Sequence, residues 1–192
     1  MPPKVRFTRE EIIAAALDMT KESGISSVTA RGLGARLGSS AKPIFGLFQN
    51  MEEVHCEVMA AVNELYNGYL KKEMESGKYP PYKASGMGYI RFAREQKELF
   101  KLLFMRDRSE EVVSDSVEEI EPLLRVIMKN TGLSHEEAVT FHLEMWVYVH
   151  GIASMIATSY LDWDEEFTAR VLTDGYEGLK GRYCGKEVSH GK

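Results

Sequence analysis

Two cysteines, Cys56 and Cys184, are all that the 192 residues contain, and they stand far apart with no C-x-x-C spacing. A disulfide framework and a cysteine-rich zinc site are thereby excluded, and a cytoplasmic protein is expected. Long apolar runs are missing too. The longest stretch without formal charge, Met145 to Leu161, is interrupted by His150, Gly151, Ser154, Thr158 and Ser159. It only just reaches the length of the shortest membrane span, so a buried helix is expected there and no membrane partner. The opening MPPKVRF carries basic residues with no apolar segment behind them, so no secretory signal is expected. No stretch alternates with period two for long enough to build a sheet, no glycine loop is laid out for phosphate, and no nucleophile has an evident base. With 44% apolar and 28% charged residues, the chain lacks the low-hydrophobicity signature of disorder.

What is present is helical spacing of apolar residues along nearly the whole chain, which implies an all-α fold. Helix starts are marked by a capping residue followed three positions later by Glu: Thr8 with Glu11, Asn50 with Glu53, Ser116 with Glu119, and Ser134 with Glu137. A first helix is expected from Thr8 to Ser23, stopped by Gly24. Thr29 caps a second ending near Leu37, Gly38 supplies a turn, and Ser40 caps a third that ends by Gln49 with Pro43 in its first turn. A long fourth helix is predicted over 51–75, and SGKYPPY then breaks the chain. Later helices are predicted at 82–95, 97–106, 116–131 with Pro122 as a kink or false start, 135–161 and 164–183, with 185–192 as a tail.

Charge is unevenly placed. Residues 1–50 hold seven Lys and Arg against four acids, a net of +3, whereas the rest of the chain carries −8. A basic front on an acidic body suits a molecule that presents one end to DNA. Thr29 to Phe48 has the spacing of a helix-turn-helix: Leu33 and Leu37 face inward, Gly38 makes the turn, and Ile44, Leu47 and Phe48 hold the next helix. Ser39, Ser40, Ala41, Lys42, Gly46 and Gln49 then decorate the side that would enter a major groove about 12 Å wide.

The run TREEIIAAALDMTKESGISSVTARGLGARLGSSAKPIFGLFQNMEEV resembles the DNA-binding domain of the tetracycline-repressor family over about the first 55 residues. Trp146 followed by His150 and Gly151 also resembles a pattern in the effector domains of one branch of that family. The resemblance implies a homodimer whose headpieces sit in successive major grooves of a near-palindromic operator on double-stranded DNA. It also implies a small-molecule effector, bound in the body, that alters headpiece spacing. Three positions depart from the family. Phe45 stands for a tyrosine whose hydroxyl meets phosphate, Leu47 for a histidine and Met51 for a lysine, so backbone-positioning contacts are lost. Lys42, Gln49, the free N–H groups opening the fourth helix, and Lys4 and Arg6 of the arm are the substitutes expected at DNA, with Thr29 and Phe45 also in the contact set.

Aromatic and methionine side chains crowd the body, as an apolar or aromatic effector pocket or a plain core would require. Tyr66, Tyr69, Tyr89, Phe92, Phe104, Trp146 and His150 are the candidate ligand contacts, since the polar tips of a buried Tyr, Trp or His need partners. The 135–161 helix is apolar nearly all round and must be covered on both sides. Its small residues Gly151, Ser154 and Thr158, with Phe167, Val171, Leu172 and Tyr176 of the last helix, are the candidate dimer interface. An all-α, three-helix helix-turn-helix headpiece (1–50) followed by a larger helical effector-binding and dimerisation bundle (51–184) is therefore expected, acting as a ligand-released repressor. A ligand- or protein-binding module with weak or no DNA affinity is the alternative. A helical metal enzyme is weaker, because Glu52-x-x-His55 has no second copy and His135-Glu136 is followed by Val139 where a second His is needed. No catalytic residue, metal or cofactor is expected.

Overall fold

The capping pairs do what their spacing requires. In the computed structural model, which describes residues 7–107 and 117–185, Thr8 and Glu11 close a reciprocal capping box on α1 (Arg9–Ser23). Ser134 and Glu137 do the same for α7 (His135–Ala157). At α3 (Met51–Glu75) the box is modified: Asn50 Oδ1 accepts from the Glu53 N–H at 2.9 Å, but the Glu53 carboxylate accepts from the Gln49 N–H at 2.6 Å instead of reaching Asn50. The Ser116 and Glu119 pair lies outside the residues whose side chains are described. The remaining helices are α2 (Ala30–Arg36), α4 (Pro81–Glu95), α5 (Lys97–Phe104), α6 (Val117–Thr131, with Pro122 inside it) and α8 (Glu165–Cys184). Among the described residues there is no strand, and no helix is long and apolar enough to cross a membrane.

Two compact units result. The first combines residues up to 68 with 95–106; the second combines 69–94 with the described residues from 107 onward. The division does not fall at residue 50, because α3 is one uninterrupted helix whose Val54, Val58 and Val62 are buried with the headpiece. The short α5 packs on α1 and adds Leu99, Phe100 and Leu103 to that same core. In the second unit Leu124, Ile127, Ala138, Phe141 and Met145 form a core where α6 meets α7, with Tyr82, Tyr176, Leu179 and Tyr183 packed against it.

Two departures from expectation have local causes. The expected third helix, Ser40 to Gln49, is reduced to a single 3-10 turn, Ile44–Gly46. Pro43 has no N–H to give, and the bonds that follow are mainly i to i+3: Gly46 N–H to Pro43 O at 3.3 Å and Leu47 N–H to Ile44 O at 3.0 Å. The helix expected to reach 161 ends at Ala157. There the Thr158 hydroxyl donates to Ser154 O at 2.7 Å and Ser159 takes φ of +57°.

Candidate DNA-recognition surface and effector-binding groups

The headpiece is built so that one short segment is presented outward. Gly38 has φ of +62°, which lets the chain reverse after α2. Gly34 makes the second half of the turn possible. A Cβ there would lie 3.0 Å from the Ala41 backbone nitrogen and 3.0 Å from the Ser40 carbonyl carbon, so only a glycine lets the segment cross this closely. The propensity cost of about 1 kcal/mol for glycine in a helix is thus offset by a packing need. The Ser39 N–H, bonded to Gly34 O at 2.8 Å, ties the crossing down.

Beyond the crossing, the turn has two sides. Ile44 and Phe48 are buried at 0% and 2% exposure, while Lys42, Gly46 and Gln49 are exposed and Phe45 keeps 49% of its surface in solvent. Ser40 is exposed, and Ser39 and Ala41 are half-buried. Thr29 spends its hydroxyl oxygen as a cap, accepting from the Gly32 N–H at 3.1 Å. Lys4 and Arg6 lie outside the described residues. The α3 N-terminus is not an open seat for phosphate, since Asn50 already caps it and Glu52 and Glu53 stand in its first turn.

Sequence reasoning did not foresee how the headpiece spends its positive charge. Arg9 pairs with Glu53 at 2.7 Å and with Glu57, donates to Leu47 O, and lies 4.2 Å from the Phe48 ring centroid. It clamps the outgoing end of the recognition turn to α1 and α3, and hydrogen bonding to the Glu53 and Glu57 carboxylates raises its pKa. Arg36 makes a two-pronged bond to Glu22, both contacts at 2.7 Å, and Lys21 pairs with Asp18 at 3.0 Å. Among the described headpiece residues up to 50, Arg31 and Lys42 are the cations with no acidic partner, and both are exposed. Arg31 joins the candidate DNA contacts on that ground; its sequence position alone offers no signal.

The aromatic residues fall into separate groups. In the first unit Tyr66 meets Phe104 edge-on with centroids 5.1 Å apart, and burial raises the Tyr66 phenol above its ordinary range. In the second unit Tyr69 meets Phe92 edge-on at 5.4 Å. Tyr89, 5% exposed, has its hydroxyl hydrogen-bonded to His150 Nδ1 at 2.8 Å, and Trp146 stacks on that imidazole with centroids 5.0 Å apart. Burial lowers the His150 pKa and so favours the neutral ring. The polar tips of Tyr89 and His150 thus find partners in each other. A second pair of the same kind, Tyr82 with His142 Nδ1 at 3.1 Å, links the same two helices and was not among the expected contacts. Nor was Glu73, which is 1% exposed with Arg91 Nη1 2.6 Å from its Oε2. Its sequence setting, KKEMES, reads as a solvated helix end.

On α7 the surface opposite the core carries Leu143, 52% exposed, and Val147, 65% exposed, in line with Gly151, Ser154 and Thr158. Trp146 borders this strip at 44% exposure. An open groove beside it is lined by Val147, Tyr148, Asp174, Gly175, Gly178 and Leu179 among others. Of the residues expected at the interface from α8, Phe167 and Val171 are half-buried, whereas Leu172 is 3% exposed in the core and Tyr176 packs on Phe141 and Tyr82. Among the described residues no three side chains of metal-binding type converge, and His55 Nε2 is bonded to Val28 O at 2.8 Å.

Residues 82–175 match the family model described as the tetracyclin repressor-like C-terminal domain. The fold is similar to that of a TetR-like transcriptional regulator from Rhodococcus sp. RHA1, with a TM-score of 0.64 and 12% identity over 97% of this chain and 100% of the other. It is also similar to a TetR-family regulator from Vibrio parahaemolyticus, with a TM-score of 0.60 and 16% identity over 88% and 97% of the two chains. No curated protein matches the sequence.

Proposed function

We propose that this chain, whose residues 82–175 match the tetracyclin repressor-like C-terminal domain, is a transcriptional regulator of the tetracycline-repressor family, a homodimeric repressor whose grip on a near-palindromic operator is released by a small apolar or aromatic effector. The observation that carries this reading is the recognition turn. It buries Ile44 and Phe48 and exposes Lys42, Phe45, Gly46 and Gln49, and among the described residues up to 50 Lys42 and Arg31 are the cations without an acidic partner. Cations without internal partners are those available to phosphate, and a small exposed turn fits a major groove.

The body supplies the other two parts of the proposal. The strip of Leu143, Val147, Gly151, Ser154 and Thr158 on α7, with Phe167 and Val171 of α8, is the proposed dimer face. Its small residues admit a second helix closely, and its exposed apolar side chains gain from being covered. The effector is assigned to the aromatic groups of the body, Tyr69, Phe92, Tyr89, Trp146 and His150, of which Trp146 is 44% exposed while Phe92 and Tyr89 are buried and would have to shift to admit an apolar or aromatic molecule. Phe45, Leu47 and Met51 favour the alternative of a ligand-binding module without DNA affinity.

Selection of duplexes from a random-sequence library by the purified full chain, at two salt concentrations, separates the readings. Enrichment of a near-palindromic site supports the regulator, and failure to enrich any sequence at low salt transfers the function to the ligand-binding module. Lys42→Ala is expected to weaken binding to the enriched site.

A further inference from the structure

Among the described residues Glu73 is the charged side chain that is fully buried, at 1% exposure. Taking a carboxylate out of water is repaid only by a well-aligned cation and by hydrogen bonds to the remaining lone pairs. Arg91 meets part of that need: its Nη1 lies 2.6 Å from Glu73 Oε2, yet both buried oxygens are left without a hydrogen bond. Arg91 is also shared. Its Nη2 lies 3.4 Å from Oε1 of the exposed Glu165, which accepts from Lys78 Nζ at 2.7 Å and from the Tyr79 hydroxyl at 3.2 Å. A guanidinium placed between a buried acid and an exposed one has a second partner at hand if another cation takes Glu73.

The acid also has aromatic neighbours on the same helix crossing. Tyr69 of α3 meets Phe92 of α4 edge-on at 5.4 Å. Four residues further along α3 and four back along α4, Glu73 faces Gly88, where an added Cβ would lie 3.3 Å from Glu73 Cβ and 3.2 Å from Leu70 Cα. The ring pair and the buried carboxylate therefore stand on consecutive rungs, one helical turn apart. Oxygens with unmet acceptor capacity one turn from two aromatic rings suit a molecule with N–H donors on a cation and an aromatic skeleton. A neutral hydrocarbon would leave the oxygens unmet, and an anion would be repelled.

We propose that the effector is an aromatic amine bound in its protonated form, and that Glu73 selects it, the ligand's ammonium group taking the place of Arg91 while Arg91 passes to Glu165. This rests on the effector reading above and deepens it by adding a positive charge to the aromatic body. No bond is made or broken; one ion pair is exchanged for two, Glu73 with the ligand and Glu165 with Arg91.

The experiment is calorimetric titration of the full chain at neutral pH with benzylamine, 2-phenylethylamine and 4-phenylbutylamine, each compared with the alcohol and the carboxylate on the same skeleton. For the skeleton that binds best, the amine is expected to bind more tightly than the alcohol by about tenfold or more, as a charged hydrogen bond to a buried acceptor gives, and the carboxylate most weakly. Glu73→Gln should bind amine and alcohol alike. Arg91→Ala keeps the acid and removes its internal competitor, so it should bind the amine more tightly than wild type does and the alcohol no differently; it also keeps the test open should the glutamine variant fail to fold. Amine and alcohol binding alike in wild type, a preference for the carboxylate, or an amine preference that persists in Glu73→Gln overturns the assignment while leaving an apolar or aromatic effector standing. Amine binding no tighter in Arg91→Ala overturns the exchange with Arg91. If no probe of any charge binds at millimolar concentration, the effector reading falls and the assignment with it.

Discussion

The two compact units use the same kinds of side chain for opposite purposes. In the headpiece unit charged groups clamp surfaces together near solvent, as Arg9 does with Glu53 and Glu57, and among the described residues up to 50 the cations Arg31 and Lys42 have no acidic partner while the Phe45 ring is 49% exposed. In the body unit polar groups are drawn inside: Tyr82 is hydrogen-bonded to His142 and Tyr89 to His150, while Glu73 has Arg91 2.6 Å away as its ion-pair partner but no hydrogen bond to either buried carboxylate oxygen. On the proposed reading, the surface offered to DNA keeps its functional groups unspent. The two Tyr–His pairs of the body both join α4 to α7, so that displacing one partner would disturb the packing of two helices.

Phenylalanine offers the widest test of this contrast. Phe141 is 0% exposed in the body core and meets Tyr176 and Tyr183 edge-on, whereas Phe45 is 49% exposed. Truncation of Phe141 to alanine is expected to cost about 4 kcal/mol in chemical denaturation, from lost transfer and the cavity left behind. The same change at Phe45 should leave the unfolding midpoint in place and alter only DNA recognition. Equal losses at the two positions would break the contrast.

The buried pair comes next. With Arg91→Ala, Glu73 keeps its burial and loses its cation, and a loss of about 3 kcal/mol is expected, at the low end for breaking a buried pair because the Arg91 side chain is itself 32% exposed. Adding Glu73→Gln to that variant should recover part of the loss, since a neutral amide tolerates the site better. A double variant no better than Arg91→Ala alone would mean that Arg91 acts through its hydrocarbon stem and not its charge.

A smaller effect separates the histidines. Burial lowers the pKa of both His142 and His150, so the unfolded chain takes up their protons at a higher pH than the folded one. Stability should therefore rise with pH from the lowered folded pKa values up to about 6.5 and level off above it. The carboxylates with lowered pKa, such as Glu165 beside Lys78, act at more acid pH, below about 4.5. Thermal midpoints between these limits should flatten in a His142→Gln, His150→Gln variant; an unchanged slope would place the pH response elsewhere.

Much of the fold could be read from the residues because it is encoded locally. The Thr8 and Ser134 capping boxes, the glycine turns after α1 and α2, and the break at SGKYPPY each depend on a few neighbouring residues. What escaped depends on contacts distant in sequence. Nothing near Arg9 foretells that Glu53 and Glu57 meet it, nothing in KKEMES marks Glu73 as buried, and the 60-residue separation that joins Tyr82 to His142 has no local trace. The shortening of the recognition helix is an intermediate case. Pro43 and Gly46 were visible, but helical spacing of Ile44, Leu47 and Phe48 outweighed them, since a 3-10 turn satisfies nearly the same apolar positions.

The finest distinction lies within the headpiece, between cations already spent and cations left over. Arg31 and Arg36 sit five residues apart in sequence, at opposite ends of α2, and both are exposed. Arg36 is bonded twice to Glu22, and that hydrogen bonding raises its pKa and lowers that of Glu22. Arg31 has no acidic partner among the described residues. If counterion release at DNA counts only charges that are not already neutralised, Arg31→Ala should make the dependence of log affinity on log salt shallower by about 0.9 for each Arg31 phosphate contact in the complex. Arg36→Ala exposes the Glu22 carboxylate instead, and should lower affinity through added repulsion with little change in slope. Affinity titrations of both variants across a salt series, on the selected duplex, decide it. Equal changes in slope would show that the Glu22 bridge opens on DNA and that Arg36 is as available to phosphate as Arg31.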